Sequence, residues 1–120
     1  MFIVDQSSII TLKQGVRWVQ HFEVLQEETG LPFNFSGTEI YSNLIHERTG
    51  EVLYSISSED IPQTNISIDS QNGTFSFIFD EDETNSFKPG IIKFDIRFIF
   101  ADQTEDASET MLIKVEERQT

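Results

Sequence analysis

Apolar and polar residues alternate most regularly between Gly90 and Phe100, where Ile92, Phe94, Ile96, Phe98 and Phe100 are separated by positions that include Lys93, Asp95 and Arg97. A period of two marks a strand buried on one face. The same period predicts a short first strand over Ser8 to Leu12 and a long second one over Val16 to Leu25. In the latter Val16, Trp18, Phe22 and Val24 share one face and Arg17, His21 and Glu23 the other, with Gln20 interrupting the apolar side and suggesting a bulge. Further strands are expected over Glu39 to His46, Glu51 to Ser57, Ile66 to Asp69, Thr74 to Phe79 and Met111 to Val115. No helical period is sustained over a window as long as a globular helix needs.

Turn chemistry punctuates these segments. Gly and Pro together mark Gln26 to Pro32, and Asn34-Phe-Ser-Gly37 is a second turn. Glu47-Arg-Thr-Gly50 reads as a hairpin loop with Gly50 at positive φ, and Asn72-Gly73 between alternating segments is a strong hairpin signal. An acidic loop, Asp80 to Glu83, leads through one helical turn at Thr84 to Phe87, and a second, Asp102 to Glu109, precedes the last strand. Gly90-x-Ile92-x-Phe94 has the spacing of the Gly-x-Tyr-x-Cys that opens the F strand of immunoglobulin domains, with Ile for the Tyr and Phe for the Cys. The expected fold is all-β, an immunoglobulin-like β-sandwich of about seven to eight antiparallel strands in which Trp18 and Phe22 face Phe94 across the core. One domain over residues 1–120 is expected, with short flexible ends at 1–7 and 116–120.

Composition narrows the function. Twenty-one acidic against 8 basic residues give a formal charge of −13, which repels nucleic acid and anionic lipid, so neither is an expected partner. With no cysteine, a disulfide or thiolate metal site is impossible and packing alone must hold the fold; 11 phenylalanines supply the bulk. Met1-Phe-Ile-Val-Asp5 lacks the basic region and length of a signal peptide, so the chain is expected to be made and kept soluble, with its Asn-x-Ser/Thr triplets at Asn34, Asn65 and Asn72 unmodified.

The residues point to no reaction. His21 and His46 are the only imidazoles, no Gly-x-Ser-x-Gly elbow surrounds a serine, and both histidines read as solvated surface residues. Asp80-x-Asp82-x-Thr84 opens like a calcium loop, but Asn85 stands where the required Gly would be and Ile91 where a bidentate carboxylate would be. No catalytic residue, cofactor or metal ligand is assigned. Candidate partner contacts are instead the apolar residues on otherwise polar strand faces: Tyr41, Ile45, Ile91 and Ile99.

Leu12-Lys-Gln-Gly15, Gly30-Leu-Pro-Phe-Asn-Phe-Ser-Gly37-Thr, Asn72-Gly-Thr-Phe-Ser-Phe and Pro89-Gly-Ile-Ile-Lys-Phe-Asp95-Ile occur in that order. Over Ile9 to Val115 the chain resembles the small immunoglobulin-like β-sandwich proteins of tailed bacteriophage tails, baseplates and fibre attachments, with Asn34-Phe-Ser-Gly37 where that family commonly has Asp-Leu-Thr-Gly. The resemblance implies a non-enzymatic virion structural protein, a tail or baseplate component or adaptor that mediates assembly. It also implies several copies, other virion tail or baseplate proteins as partners, and assembly in the host cytoplasm. The alternative is a carbohydrate- or host-surface-binding β-sandwich module, which needs surface aromatic residues, whereas Trp18, the single tryptophan, reads as buried.

Overall fold

A computed structural model describes residues 2–5, 10–26, 28–59 and 65–117 and shows an all-β chain folded as two sheets. The four-stranded sheet has the order β1 (Phe2–Asp5), β3 (Trp18–Gln26), β7 (Thr74–Phe79), β6 (Ile66–Asp69). The seven-stranded sheet is centred on β8 (Gly90–Phe94) and β9 (Ile96–Ile99), which together form one interrupted strand. On one side both pair with β4 (Glu39–His46), which in turn pairs with β5 (Val52–Ser57). On the other side β9 pairs with β10 (Glu105–Ala107) and β8 with β11 (Met111–Glu116), and β2 (Ile10–Lys13) runs parallel to β11. This two-sheet arrangement is that of an immunoglobulin-like sandwich, with β3 and β8 in the places of the B and F strands.

The pairing is antiparallel except at β2, and two interruptions raise the number of strand segments above the expected eight. Asp95 leaves the register of β4 against β8 and β9 unbroken, and the side chains from Ile92 to Phe98 alternate across it. The slip lies in the neighbouring strand, between β10 and β11. There the Ser108 hydroxyl accepts from Ile96 N at 2.9 Å, and on the opposite side the buried Ser42 hydroxyl of β4 donates to the Asp95 carbonyl at 2.7 Å. Backbone groups that a ladder would satisfy are thus met by side chains.

Several local expectations are corrected. Phe2–Asp5, assigned above to a flexible end, pairs with Leu25 and its neighbours as β1; four residues without alternation carry too little pattern to show it. The first expected strand starts at Ile10 among described residues, Ser8 and Ile9 lying outside them. Val16 is 50% exposed on the turn before β3, and β3 pairs with β7 without a bulge at Gln20. The register shift occurs at Leu44/Ile45 instead. The second acidic loop contains β10, which pairs with β9.

The core is a phenylalanine cluster between the sheets. The Phe22 ring lies 4.9 Å from Phe75, 5.0 Å from Phe77 and 6.2 Å from Phe94, so two aromatic rings bridge the sheets where immunoglobulin domains place a disulfide. Trp18 stacks on Phe79 at 5.7 Å instead of facing Phe94. The first acidic loop is not simply solvated: Asp80 Oδ1 accepts from Glu83 N at 2.8 Å and Glu83 Oε1 from Asp80 N at 2.9 Å, a capping box that starts α1 (Glu81–Asn85). The buried Thr84 hydroxyl then donates to the Val16 carbonyl at 3.0 Å and fastens this helical turn to the β2–β3 turn.

Candidate interaction face

Strand alternation decides which side chains leave the core. In β4 the inward positions are Ile40, Ser42, Leu44 and His46, so Tyr41, Asn43 and Ile45 point outward. Along β8 and β9 the inward positions are Ile92, Phe94, Ile96 and Phe98, which turns Ile91, Lys93, Asp95, Arg97 and Ile99 to the same outer face. All four residues singled out from the sequence therefore lie on the outer surface of the seven-stranded sheet, on adjacent strands.

Register arranges them in two groups. Cross-strand rows run Glu39–Ile99, Tyr41–Arg97 and Ile45–Lys93, and the Glu47 amide donates to the Ile91 carbonyl at 2.9 Å to continue the ladder. Tyr41 and Ile99 are thus diagonal neighbours at one end, and Ile45 and Ile91 at the other, with Asn43 and Asp95 between them. The second group gains two residues that the sequence reading missed. Val52, 49% exposed, pairs with Ile45, and Leu112 pairs with Lys93. Val52 is carried outward by the bulge at Leu44/Ile45, and Leu112 sits inside the run Met111-Leu-Ile113, where neighbours alike in polarity hide which one faces out.

The face differs electrostatically from the rest of the molecule. Its outward residues include Glu39, Glu47, Asp95, Glu105 and Glu116, with Glu59 beside Tyr41, against Lys13, Lys93, Arg97 and Lys114, six acidic and four basic. Of the chain's 21 acidic and 8 basic residues, fifteen acidic and four basic are then left for the remainder. The face is less acidic than the rest of the chain. Arg97 Nη2 lies 3.2 Å from Glu105 Oε1, and Tyr41 donates its hydroxyl proton to Glu39. That hydrogen bond, then loss of solvent and the Glu39 charge, hold the Tyr41 hydroxyl above its ordinary range, since each opposes a tyrosinate beside a carboxylate. Lys93 and Lys114 have no ion-pair partner among the described residues.

Neither histidine lies on this face. His21 is exposed on the four-stranded sheet, as expected, with Nδ1 2.6 Å from Ser76 Oγ across the β3–β7 pair. His46, expected at the surface, is instead 5% exposed, pointing inward at the end of β4 against Gly90. No cluster of three or more His, Cys, Asp or Glu residues able to hold a metal ion forms among the described residues, and no described helix is long and apolar enough to cross a membrane. No protein-family model matches this chain, and no curated protein matches it in sequence.

Proposed function

We propose that this chain is a non-enzymatic structural protein of a tailed-bacteriophage virion, a tail or baseplate component that mediates assembly through the outer face of its seven-stranded sheet. The reading rests on the ordered turn and strand motifs from Leu12 to Ile96 that resemble that family. The observation that favours an assembly role is the grouping of Tyr41, Ile45, Ile91 and Ile99, with Val52 and Leu112, on one sheet face. Apolar residues gathered on one outer sheet face are suited to contact with a neighbouring protein. The buried Trp18 supplies no aromatic platform for a sugar ring, which disfavours the carbohydrate-binding alternative. Quantitative mass spectrometry of purified virions tests the proposal: a fixed ratio of this chain to tail proteins is expected, and its absence from finished particles would overturn it.

A further inference from the structure

An asparagine followed by glycine is especially prone to lose its side-chain amide, because no side chain on the second residue shields that residue's nitrogen from the asparagine Cγ. Asn72-Gly73 is the one such pair in the sequence; Asn34, Asn43 and Asn65 precede Phe, Leu and Ile, and Asn85 precedes Ser. The pair lies in the loop between β6 and β7, with Asn72 exposed and Gly73 buried.

Contacts on both sides restrain it. Asp69, the last residue of β6, reaches across the loop, and its Oδ2 accepts from Asn72 Nδ2 at 2.8 Å while its Oδ1 lies 3.4 Å from Asn72 N. The side-chain amide is thus tied to Asp69. Gly73 is held at a φ of +65°, its carbonyl accepting from the Val24 amide at 2.8 Å, with the Phe33 and Val24 backbone packed against its Cα. The Ser70 carbonyl accepts from the Phe35 amide at 3.0 Å and fastens the start of the loop to the same neighbouring segment.

We propose that Asn72 is a deamidation site that the folded hairpin holds unreactive, with Asp69 as its positioning residue, and that it reacts when the loop opens. In the reaction the Gly73 nitrogen gives its proton to solvent and attacks Asn72 Cγ. The N–Cγ bond forms, the Cγ–Nδ2 bond breaks, and the amide leaves as ammonia with a proton taken from solvent. Water then opens the cyclic imide at either carbonyl to give aspartate or isoaspartate. Closing the imide ring requires Nδ2 to leave Asp69 and the Asn72–Gly73 peptide to rotate, which drives Gly73 against backbone that cannot give way. An opened loop meets neither obstacle. The product fits the hairpin poorly: a carboxylate at position 72 donates nothing to Asp69 and repels it, and isoaspartate lengthens the backbone just ahead of a glycine with no slack. This chemistry belongs to the chain alone and does not rest on the virion reading.

Peptide mass spectrometry of the full chain tests it, after incubation at mildly alkaline pH in buffer and, in parallel, in guanidinium chloride. Asn72 should be the first asparagine converted in guanidinium and should react about tenfold more slowly in the folded chain, where reaction waits on local opening. Asp69→Ala, with its folding verified by circular dichroism, should speed conversion several-fold in buffer and leave the rate in guanidinium unchanged. Asp80→Ala, altered at the far end of β7, should stay near wild type in buffer, which separates a local hold on Asn72 from a general loss of stability. Equal rates for folded and unfolded wild type would overturn the proposal. So would a folded Asp69→Ala chain that reacts no faster than wild type or than Asp80→Ala.

Discussion

At Gly73 the chain has no room for a side chain. Its φ is +65°, and a Cβ there would lie 2.6 Å from the Phe33 carbonyl oxygen and 2.8 Å from that of Val24. These are backbone atoms fixed by hydrogen bonds, the Val24 amide to the Gly73 carbonyl at 2.8 Å and the Phe33 amide to the Val24 carbonyl at 3.0 Å. Gly73→Ala should therefore cost ~2–4 kcal/mol, from the left-handed backbone and the clash together, read by urea denaturation. His46 predicts the opposite sign. Both its ring nitrogens are buried without a hydrogen-bond partner among the described residues, so His46→Leu should stabilise by about 1 kcal/mol, and a marked loss would show that the ring is satisfied in solution. Tyr41 makes a third case. Its raised pKa means that the Tyr41–Glu39 contact contributes fully below the ordinary tyrosine pKa of about 10 and is lost as pH rises through the higher folded value. Absorbance titration should show one of the two tyrosines ionising late, and Glu39→Ala should bring it back toward the ordinary range.

Among the elements, the interrupted strand β8–β9 has most of its inward side chains wholly enclosed. Phe94 is 2% exposed and meets both Phe22 and Phe77, so Phe94→Ala should cost ~3–5 kcal/mol in thermal or chemical unfolding. Removing the capping box with Asp80→Ala should cost about 1 kcal/mol, far less, because α1 has a single turn to stabilise. These elements differ in how legible they were. Gly90 to Phe100, Glu39 to His46 and the Asn72-Gly73 hairpin could be read directly, because their alternation and turn residues are local properties. The pairing of Phe2–Asp5 with β3 and the parallel pairing of β2 with β11 could not, since both depend on partners distant in sequence. The candidate site divides in the same way. Tyr41, Ile45, Ile91 and Ile99 stood out against polar neighbours, while Val52 needed the bulge, and Leu112 needed the register against Lys93, to be recognised as outward.

Across the whole molecule, a phenylalanine core fills the place of the disulfide, and the outer face of the seven-stranded sheet is less acidic than the rest of the chain. On the proposed assembly role, the strongly acidic surfaces away from this face repel one another over about 8 Å at physiological ionic strength. Lysine acetylation followed by mass spectrometry tests the proposal that this face is covered on assembly. Dilute free protein and purified virions are to be labelled side by side, with Lys88, exposed in the turn between α1 and β8, as the internal control. Lys93 and Lys114 should react readily in the free chain and be protected in particles while Lys88 reacts in both. Equal labelling of Lys93 and Lys114 in free and assembled protein would contradict the account.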